Sequence, residues 1–238
     1  MNLENKVAYI TGGSKGIGLG VAQSLLSKGM KVAISGRNEA SLKEALTQLG
    51  NSEGVLAIKS DVTILADEKK AVETILQHWG QLDVVIANAG VGHFAPVDQL
   101  SSEAWQSMMR TNLDGVFHTL KASVESLKTT QGYYITLASL AGTNFFAQGA
   151  GYNATKFGVV GFTQAAMLDL RGYGIKVSTV MPGSVATHFN GNEPSDKDAW
   201  KIQPEDIGKL VLDLLQMHPR TLPSKIEVRP SRPDLKGK

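Results

Sequence analysis

The stretch Thr11-Gly12-Gly13-Ser14-Lys15-Gly16-Ile17-Gly18 decides the fold. It lies between an apolar run over 6–11, which predicts a buried strand, and a helical pattern over 18–27. Glycines in this turn leave room for a pyrophosphate, which the backbone N–H groups and the helix N-terminus would bind. The alternative is a glycine-rich turn without a ligand, but the flanking strand and helix favour a dinucleotide site. The candidate contacts are Gly12, Ser14, Lys15, Gly16, Ile17 and Gly18.

Strands and helices alternate along the rest of the chain. The predicted strands are 6–11, 31–35, 55–58, 82–87, 133–138, 175–180 and 226–228. The predicted helices are 18–27, 39–49, 65–79, 102–110, 113–127, 152–171 and 204–216. Because the strands are apolar on both faces, the pattern predicts an α/β fold with a three-layer, doubly wound parallel sheet. We expect one domain over 1–238, with a short irregular tail at about 229–238.

The composition excludes several classes of protein. Among 238 residues there is no cysteine, which rules out disulfides, thiolate catalysis and cysteine-based zinc sites, and we expect no metal. The 24 Lys and Arg balance 22 Asp and Glu without a basic stripe, so we expect no nucleic-acid partner. No run approaches the ~18 apolar residues of a membrane span. The sequence therefore predicts a soluble, cytoplasmic protein.

The end of the second predicted strand indicates which cofactor is bound. Sites for NAD usually place an acid here for the ribose 2′-hydroxyl, whereas this strand ends Ser35-Gly36-Arg37-Asn38. Arg37 can pair with a 2′-phosphate, and Lys15 can approach it from the glycine turn. The pair favours NADP; the alternative is that both are ordinary solvated charges.

A candidate catalytic set follows the fifth predicted strand. Ser139 comes just after it, and Tyr152 and Lys156 stand at i and i+4, on one helical face. A tyrosine with a pKa of ~10 is a poor acid or base at neutral pH. A cation ~4 Å away contributes ~4 kcal/mol at an effective dielectric of ~20, enough to lower that pKa by up to ~3. Tyr152 could then exchange a proton with a carbonyl or alcohol oxygen that Ser139 holds; taken alone, a Tyr/Lys pair is more often a surface pair.

From Val7 to about Leu215 the chain resembles the short-chain dehydrogenase/reductases, in their compact single-domain branch with a Rossmann fold. The matching motifs are Thr11-Gly12-x3-Gly16-x-Gly18, Asp61-Val62, Asn88-Ala89-Gly90, Asn112, the set Ser139, Tyr152 and Lys156, and Pro182-Gly183-Ser184-Val185-Ala186-Thr187.

The resemblance implies a role for each motif. Tyr152 would be the general acid/base, with Lys156 binding the ribose and lowering the Tyr pKa. Ser139 would orient the substrate oxygen, and Asn112 would hold a water that links Lys156 to solvent. The remaining implied cofactor contacts are Asp61 and Val62 at the adenine, Asn88, Ala89 and Gly90 at the ribose and nicotinamide, and Pro182, Gly183, Val185 and Thr187 at the carboxamide. Asp61 has a structural alternative, as the N-cap of the next helix.

The chain departs from the family in two places. Ala87 replaces the first of two asparagines before the Ala-Gly turn, and the segment 222–230 lacks the Val-Asp-Gly-Gly ending of many ketoacyl reductases. That ending often builds a subunit interface, so a tetramer copied from those relatives is in doubt. Relatives pair through the helices near 102–127 and 152–171, which implies a homodimer or homotetramer.

Three loops after strand ends, at 91–97, 140–151 and 184–201, should form the substrate surface. The candidate substrate contacts are Ser139, His93, Phe145, Tyr152, Ser184, His188 and Phe189. Their character suggests an apolar carbonyl compound or alcohol, and the leading hypothesis is an NADPH-dependent carbonyl or 3-oxoacyl reductase. The alternative from another class is a nucleotide-binding sensor or scaffold with little turnover.

Overall fold

The computed structural model describes residues 2–50 and 53–232. Its strands are β1 Val7–Thr11, β2 Lys31–Gly36, β3 Val55–Lys59, β4 Val84–Ala87, β5 Tyr133–Leu137, β6 Lys176–Pro182 and β7 Lys225–Val228. Its helices are α1 Gly16–Leu26, α2 Glu39–Gln48, α3 Leu65–Trp79, α4 Ser102–Met108, α5 Gly115–Thr130, α6 Ala150–Leu170 and α7 Pro204–Gln216.

The seven strands form one parallel sheet in the order β3-β2-β1-β4-β5-β6-β7. Side chains of β1 alternate between two apolar layers: Ile10 faces α1 and α7, and Tyr9 faces α3, α5 and α6. The predicted three-layer, doubly wound α/β fold is therefore confirmed. Among the helices of the described residues, none has the length and apolar character needed to cross a bilayer.

The strand order reverses between β1 and β4. The chain continues from β1 to β2 on one side and from β4 to β5 on the other side, which opens a crevice beyond the carboxyl ends of β1 and β4. The glycine turn after β1 and the Asn88-Ala89-Gly90 segment after β4 border this crevice. The fold thus places the predicted cofactor motifs side by side.

The helical region between β4 and β5 differs from the prediction. A break was expected at 111–112, but α4 continues through a π-helical segment, Met109–Asp114, directly into α5. The polar pair Thr111 and Asn112 interrupts the apolar pattern, yet both side chains are buried. The irregularity of the sequence therefore marks a widened turn inside a helix.

The carboxyl-terminal segment is described only in part. Residues 229–232 follow β7 without regular structure, and the rest of the predicted tail, 233–238, lies outside the described residues.

Candidate functional site

A cavity of about 1120 Å³ follows the carboxyl ends of the strands, from the loops after β2 and β3 to the end of β7. The predicted cofactor residues that line it are Gly12, Ser14, Lys15, Gly16, Ile17, Arg37, Asp61, Val62, Asn88, Ala89, Gly90, Tyr152, Lys156, Pro182, Gly183, Val185 and Thr187. Gly18 is the exception, because it is buried behind this lining.

The glycine turn, here called the glycine cradle, packs so closely against neighbouring segments that side chains would not fit. Gly12 has a φ of 64°, and a Cβ there would lie 2.9 Å from the Ala89 Cα. Gly16 has a φ of 56°, and its Cβ would contact Thr187. Gly18 serves packing, since a Cβ there would lie 2.6 Å from the Asn88 Nδ2. The Asn88 amide in turn donates to the carbonyls of Thr11, at 2.9 Å, and Gly12, at 3.0 Å.

The part of the crevice between the glycine turn and the end of β2 is electropositive. Lys15 and Arg37 are both exposed and line the cavity, without an ion-pair partner among the described residues. The nearest acid after β2, Glu39, is bonded to Lys59 at 2.7 Å. Asp61 is the one carboxylate among the described residues of the lining. It accepts from the Thr63 N–H at 2.9 Å, but Ile64 holds the N-cap position of α3, so the N-cap alternative is wrong.

The predicted catalytic set converges on the far part of the cavity. Tyr152 and Lys156 lie on the first turns of α6, and Ser139 follows β5. The Ser139 hydroxyl is hydrogen-bonded to Tyr152 and accepts from the Ala141 N–H at 3.1 Å. The Lys156 ammonium donates to the Leu137 carbonyl at 2.9 Å and lies 5.6 Å from the Tyr152 ring centroid.

Burial dominates the proton affinities of this set. It raises the pKa of Tyr152 to about 12, against a lowering by the Ser139 hydrogen bond. It lowers the pKa of Lys156, whose side chain is only 5 % exposed, to about 8. The expected lowering of the Tyr152 pKa by Lys156 is therefore wrong for the protein alone. The ammonium donates to the Leu137 carbonyl, and desolvation of the phenol outweighs the lowering by the Ser139 hydrogen bond.

Asn112 lies in the π-helical segment, buried behind the cavity wall. Its Oδ1 accepts from the Val91 N–H at 2.8 Å, and its Nδ2 donates to the Val91 carbonyl at 2.8 Å. Nδ2 also donates to the Thr155 hydroxyl at 3.1 Å. The side chain thus ties the segment after β4 to α6, and its implied catalytic role stays a prediction.

Aromatic rings surround the Tyr152 side chain. The ring centroid of Phe94 lies 5.4 Å away and that of Phe189 lies 5.7 Å away. Phe146 lies behind Phe94 at 5.8 Å, and Phe145 is 86 % exposed at the rim. Ser184 and His188 also line the cavity, as predicted, whereas His93 does not. Phe94, the next residue of that loop, lines the wall instead, while His93 is exposed outside the lining.

Residues 6–198, which include the glycine cradle and the Ser/Tyr/Lys cluster of this crevice, match the short chain dehydrogenase family. The chain belongs to this family. An uncharacterized oxidoreductase of Staphylococcus saprophyticus is 30 % identical over 234 residues, covering 97 % of this chain and 99 % of the relative. The protein is thus an oxidoreductase of the short-chain dehydrogenase type.

Solved structures of the family agree. An alcohol dehydrogenase from the archaeon Thermococcus sibiricus, complexed with 5-hydroxy-NADP, is 30 % identical with a TM-score of 0.90, over 97 % of this chain and 100 % of that one. A 3-ketoacyl-(acyl-carrier-protein) reductase from Brucella melitensis, complexed with NADH, is 26 % identical with a TM-score of 0.88, over 97 % and 99 %. These neighbours bind nicotinamide nucleotides of both kinds.

Sequence reasoning missed part of the cavity wall in this short-chain dehydrogenase. Arg229 and Pro230 line its substrate end, although they lie outside the three predicted loops. The parallel pairing of β7 with β6 brings Arg229 to the same sheet edge as the other strand-end residues. The only available signal was the position of this residue directly after a predicted strand.

Proposed function

We propose that the protein is an NADP(H)-dependent oxidoreductase that interconverts a carbonyl compound and a secondary alcohol, with Tyr152 as general acid/base. One observation carries the proposal: the Tyr152 hydroxyl, bonded to Ser139 and close to the buried Lys156 ammonium, lies in the cavity that the glycine cradle borders. The glycine cradle suits a pyrophosphate, because its backbone N–H groups lie in the cavity lining and lead into the N-terminus of α1. When bound, the cofactor supplies or accepts the hydride.

The residues of the chain handle the proton. Burial keeps the Tyr152 hydroxyl protonated at neutral pH, which suits donation to a carbonyl oxygen. Ser139 would hold the same oxygen by a hydrogen bond. A Lys156 pKa of about 8 leaves its amine mainly charged at neutral pH, and with cofactor bound this charge would stabilise the phenolate that remains. In the reverse direction the phenolate accepts the alcohol proton.

The preference for NADP rests on Lys15 and Arg37. Both line the adenosine end and lack a carboxylate partner among the described residues, while Glu39 is held by Lys59. A 2′-phosphate would find two free cations there.

The tyrosine is tested by following oxidation of NADPH with a panel of ketones, aldehydes and 3-ketoacyl thioesters. We expect Tyr152→Phe to lose about 10²–10⁴-fold in kcat, the usual contribution of a positioned acid. Tyr173→Phe, at an exposed tyrosine outside the cavity, is the matched control and should stay fully active. Full turnover by Tyr152→Phe on a confirmed substrate would overturn the mechanism. Tight NADPH binding without hydride transfer to any compound would favour a sensor or scaffold.

The cofactor assignment has its own test. Arg37→Ala should weaken NADPH binding about 10–100-fold, as expected for hydrogen bonds to a charged group, and NADH binding far less. Lys43→Ala removes an exposed cation of α2 that lies outside the cavity lining, and should leave both affinities unchanged. Equal weakening of NADPH and NADH in Arg37→Ala would refute the 2′-phosphate assignment.

We also propose that the protein is a homodimer or homotetramer that pairs through the outer faces of α5 and α6. Phe117, Phe157 and Leu168 are large apolar residues exposed on these two helices. Sedimentation of the wild type and of Leu168→Asp tests this, since the charge should shift the assembly toward monomers. A monomeric wild type would contradict it.

A further inference from the structure

The lining of the cavity carries more cations than cofactor and catalysis require. Its charged residues, within the part of the chain that the structure describes, are Lys15, Arg37, Asp61, Lys156, Lys201 and Arg229. Two of the cations face the proposed phosphate and one belongs to the catalytic set. Lys201 forms an ion pair of 2.6 Å with Asp198, and both side chains are largely covered. Arg229 is left without an assigned role.

Arg229 lies at the substrate end. It directly follows β7, where the Gly183 N–H donates to the Val228 carbonyl at 2.8 Å. A Cβ at Gly183 would lie 3.0 Å from Leu140 and 3.3 Å from Pro230, so the segments after β5, β6 and β7 are in contact. Ser139 follows β5, and two strand spacings of about 4.8 Å separate β5 from β7. A substrate oxygen at Ser139 is therefore within about 10 Å of the Arg229 backbone.

The Arg229 guanidinium is available to a ligand. It donates to the Glu227 carboxylate at 2.9 Å, but the two side chains are 55 % and 40 % exposed. Exposed pairs of this kind contribute little to stability, and a guanidinium has five N–H donors. Glu227 itself is outside the lining. A substrate carboxylate could therefore accept hydrogen bonds from the N–H groups of Arg229 that Glu227 does not use.

A second part of the cavity wall is aromatic. Phe94 and Phe189 flank Tyr152, and Phe146 extends the aromatic surface outward. This wall has no charged residue in the described part of the lining. A ligand that spans the site would thus place an apolar body on the phenylalanine side and an anion on the β7 side.

We propose that the substrate is an apolar ketone that carries a carboxylate a few bonds from its carbonyl, and that Arg229 binds this carboxylate. The inference rests on the proposed function, because it assumes that the carbonyl oxygen lies at Ser139 and Tyr152. It assigns to Arg229 the selection of the substrate, with no part in the chemical step.

The test compares benzoylpropionate with its methyl ester at saturating NADPH, in the wild type and in Arg229→Gln. We expect the wild type to prefer the acid, and the acid-to-ester ratio of kcat/KM to fall about 10–100-fold in Arg229→Gln. Arg229→Lys should retain part of the preference. Glu227→Gln should raise the ratio, because it releases the guanidinium. Lys225→Gln removes an exposed cation of the same strand outside the lining, and should leave the ratio unchanged.

The outcomes separate the two proposals. If the ester is reduced through Tyr152 and the acid is not preferred, the assignment of Arg229 is wrong and the proposed function stands. If neither ketone is reduced, calorimetry on the NADP-loaded protein compares phenylbutanoate with phenylbutanamide. Tighter binding of the carboxylate in the wild type, lost in Arg229→Gln, supports the site. Equal binding, or none, overturns it.

Discussion

Burial of the charged Lys156 side chain lowers the free energy of unfolding by an amount that can be measured. Its pKa is about 8, lowered from 10.5 by burial of the ammonium. A difference of 2.5 in pKa corresponds to about 3 kcal/mol of folding free energy. Below the folded pKa the lysine is charged in both states, so the whole cost is present. As the pH rises from the folded toward the unfolded pKa, only the unfolded chain keeps its proton, and folding becomes more favourable.

Lys156→Met removes this titration and keeps a side chain of similar length. The wild type should gain about 2 kcal/mol of unfolding free energy relative to Lys156→Met between about pH 7 and about pH 9.5. Tyr152 titrates above this window, since its pKa is about 12. Urea unfolding of the cofactor-free proteins, followed by tryptophan fluorescence, measures the difference.

The control is Lys70→Met, which removes an exposed lysine of α3. Its difference from the wild type should stay constant over the same pH range. Equal pH dependence of Lys156→Met and the wild type would show that the folded protein hydrates this amine or pairs it with an acid, and would refute the reasoning.

Three further substitutions address other parts of the fold. Burial raises the pKa of Glu68, so ionisation of its carboxyl opposes folding once the pH rises above the usual value of 4.5. Glu68→Gln should therefore gain stability over the wild type in urea unfolding as the pH is raised from 4.5, and a constant difference would contradict this. Gly12 has a φ of 64°, and a Cβ there would lie 2.9 Å from the Ala89 Cα, so Gly12→Ala should lower the free energy of unfolding by about 1–2 kcal/mol. The same variant should lose NADPH binding in a fluorescence titration, and an unchanged affinity would disprove the cradle. In Gly92→Ala the new Cβ would lie 2.7 Å from Phe189 and should displace that ring. We expect the KM for ketones to rise several-fold while the NADPH affinity stays the same. An unchanged KM would show that Phe189 does not contact the substrate.

The layered fold could be predicted because its signals are local. The strands are apolar on both faces, and the helices repeat apolar residues on one side, so 65–79 and 204–216 match α3 and α7 to the residue. The π-helical segment could not be predicted in this way. Its Asn112 is hydrogen-bonded to a backbone N–H and to the Thr155 side chain, and a periodicity argument interprets such a polar residue as a break.

The candidate site was predictable where the backbone carries it. Glycines and strand-end residues line the cavity, because parallel strands bring their carboxyl ends to one edge. Side-chain direction was not predictable: Phe94 lines the cavity and His93 does not. The same limit applies to the Tyr152 pKa, which depends on where the Lys156 amine points and on how deeply both groups are buried.

The Asn112 side chain anchors the part of the cavity wall that follows β4. Its amide pairs with both the N–H and the carbonyl of Val91, as the peptide group of an adjacent strand would. The backbone of the segment after β4 is therefore hydrogen-bonded as in a β-sheet, although its partner is a side chain and not a strand. Opening this wall requires breaking two hydrogen bonds to the widened helical turn, so its fluctuations belong to the cooperative unit of the π-helical segment and α5. The loop that carries Phe189 is tied at its base instead, where the Ala186 N–H donates to the Ile202 carbonyl at 2.9 Å and the Ile202 N–H donates to the Ser184 carbonyl at 3.1 Å.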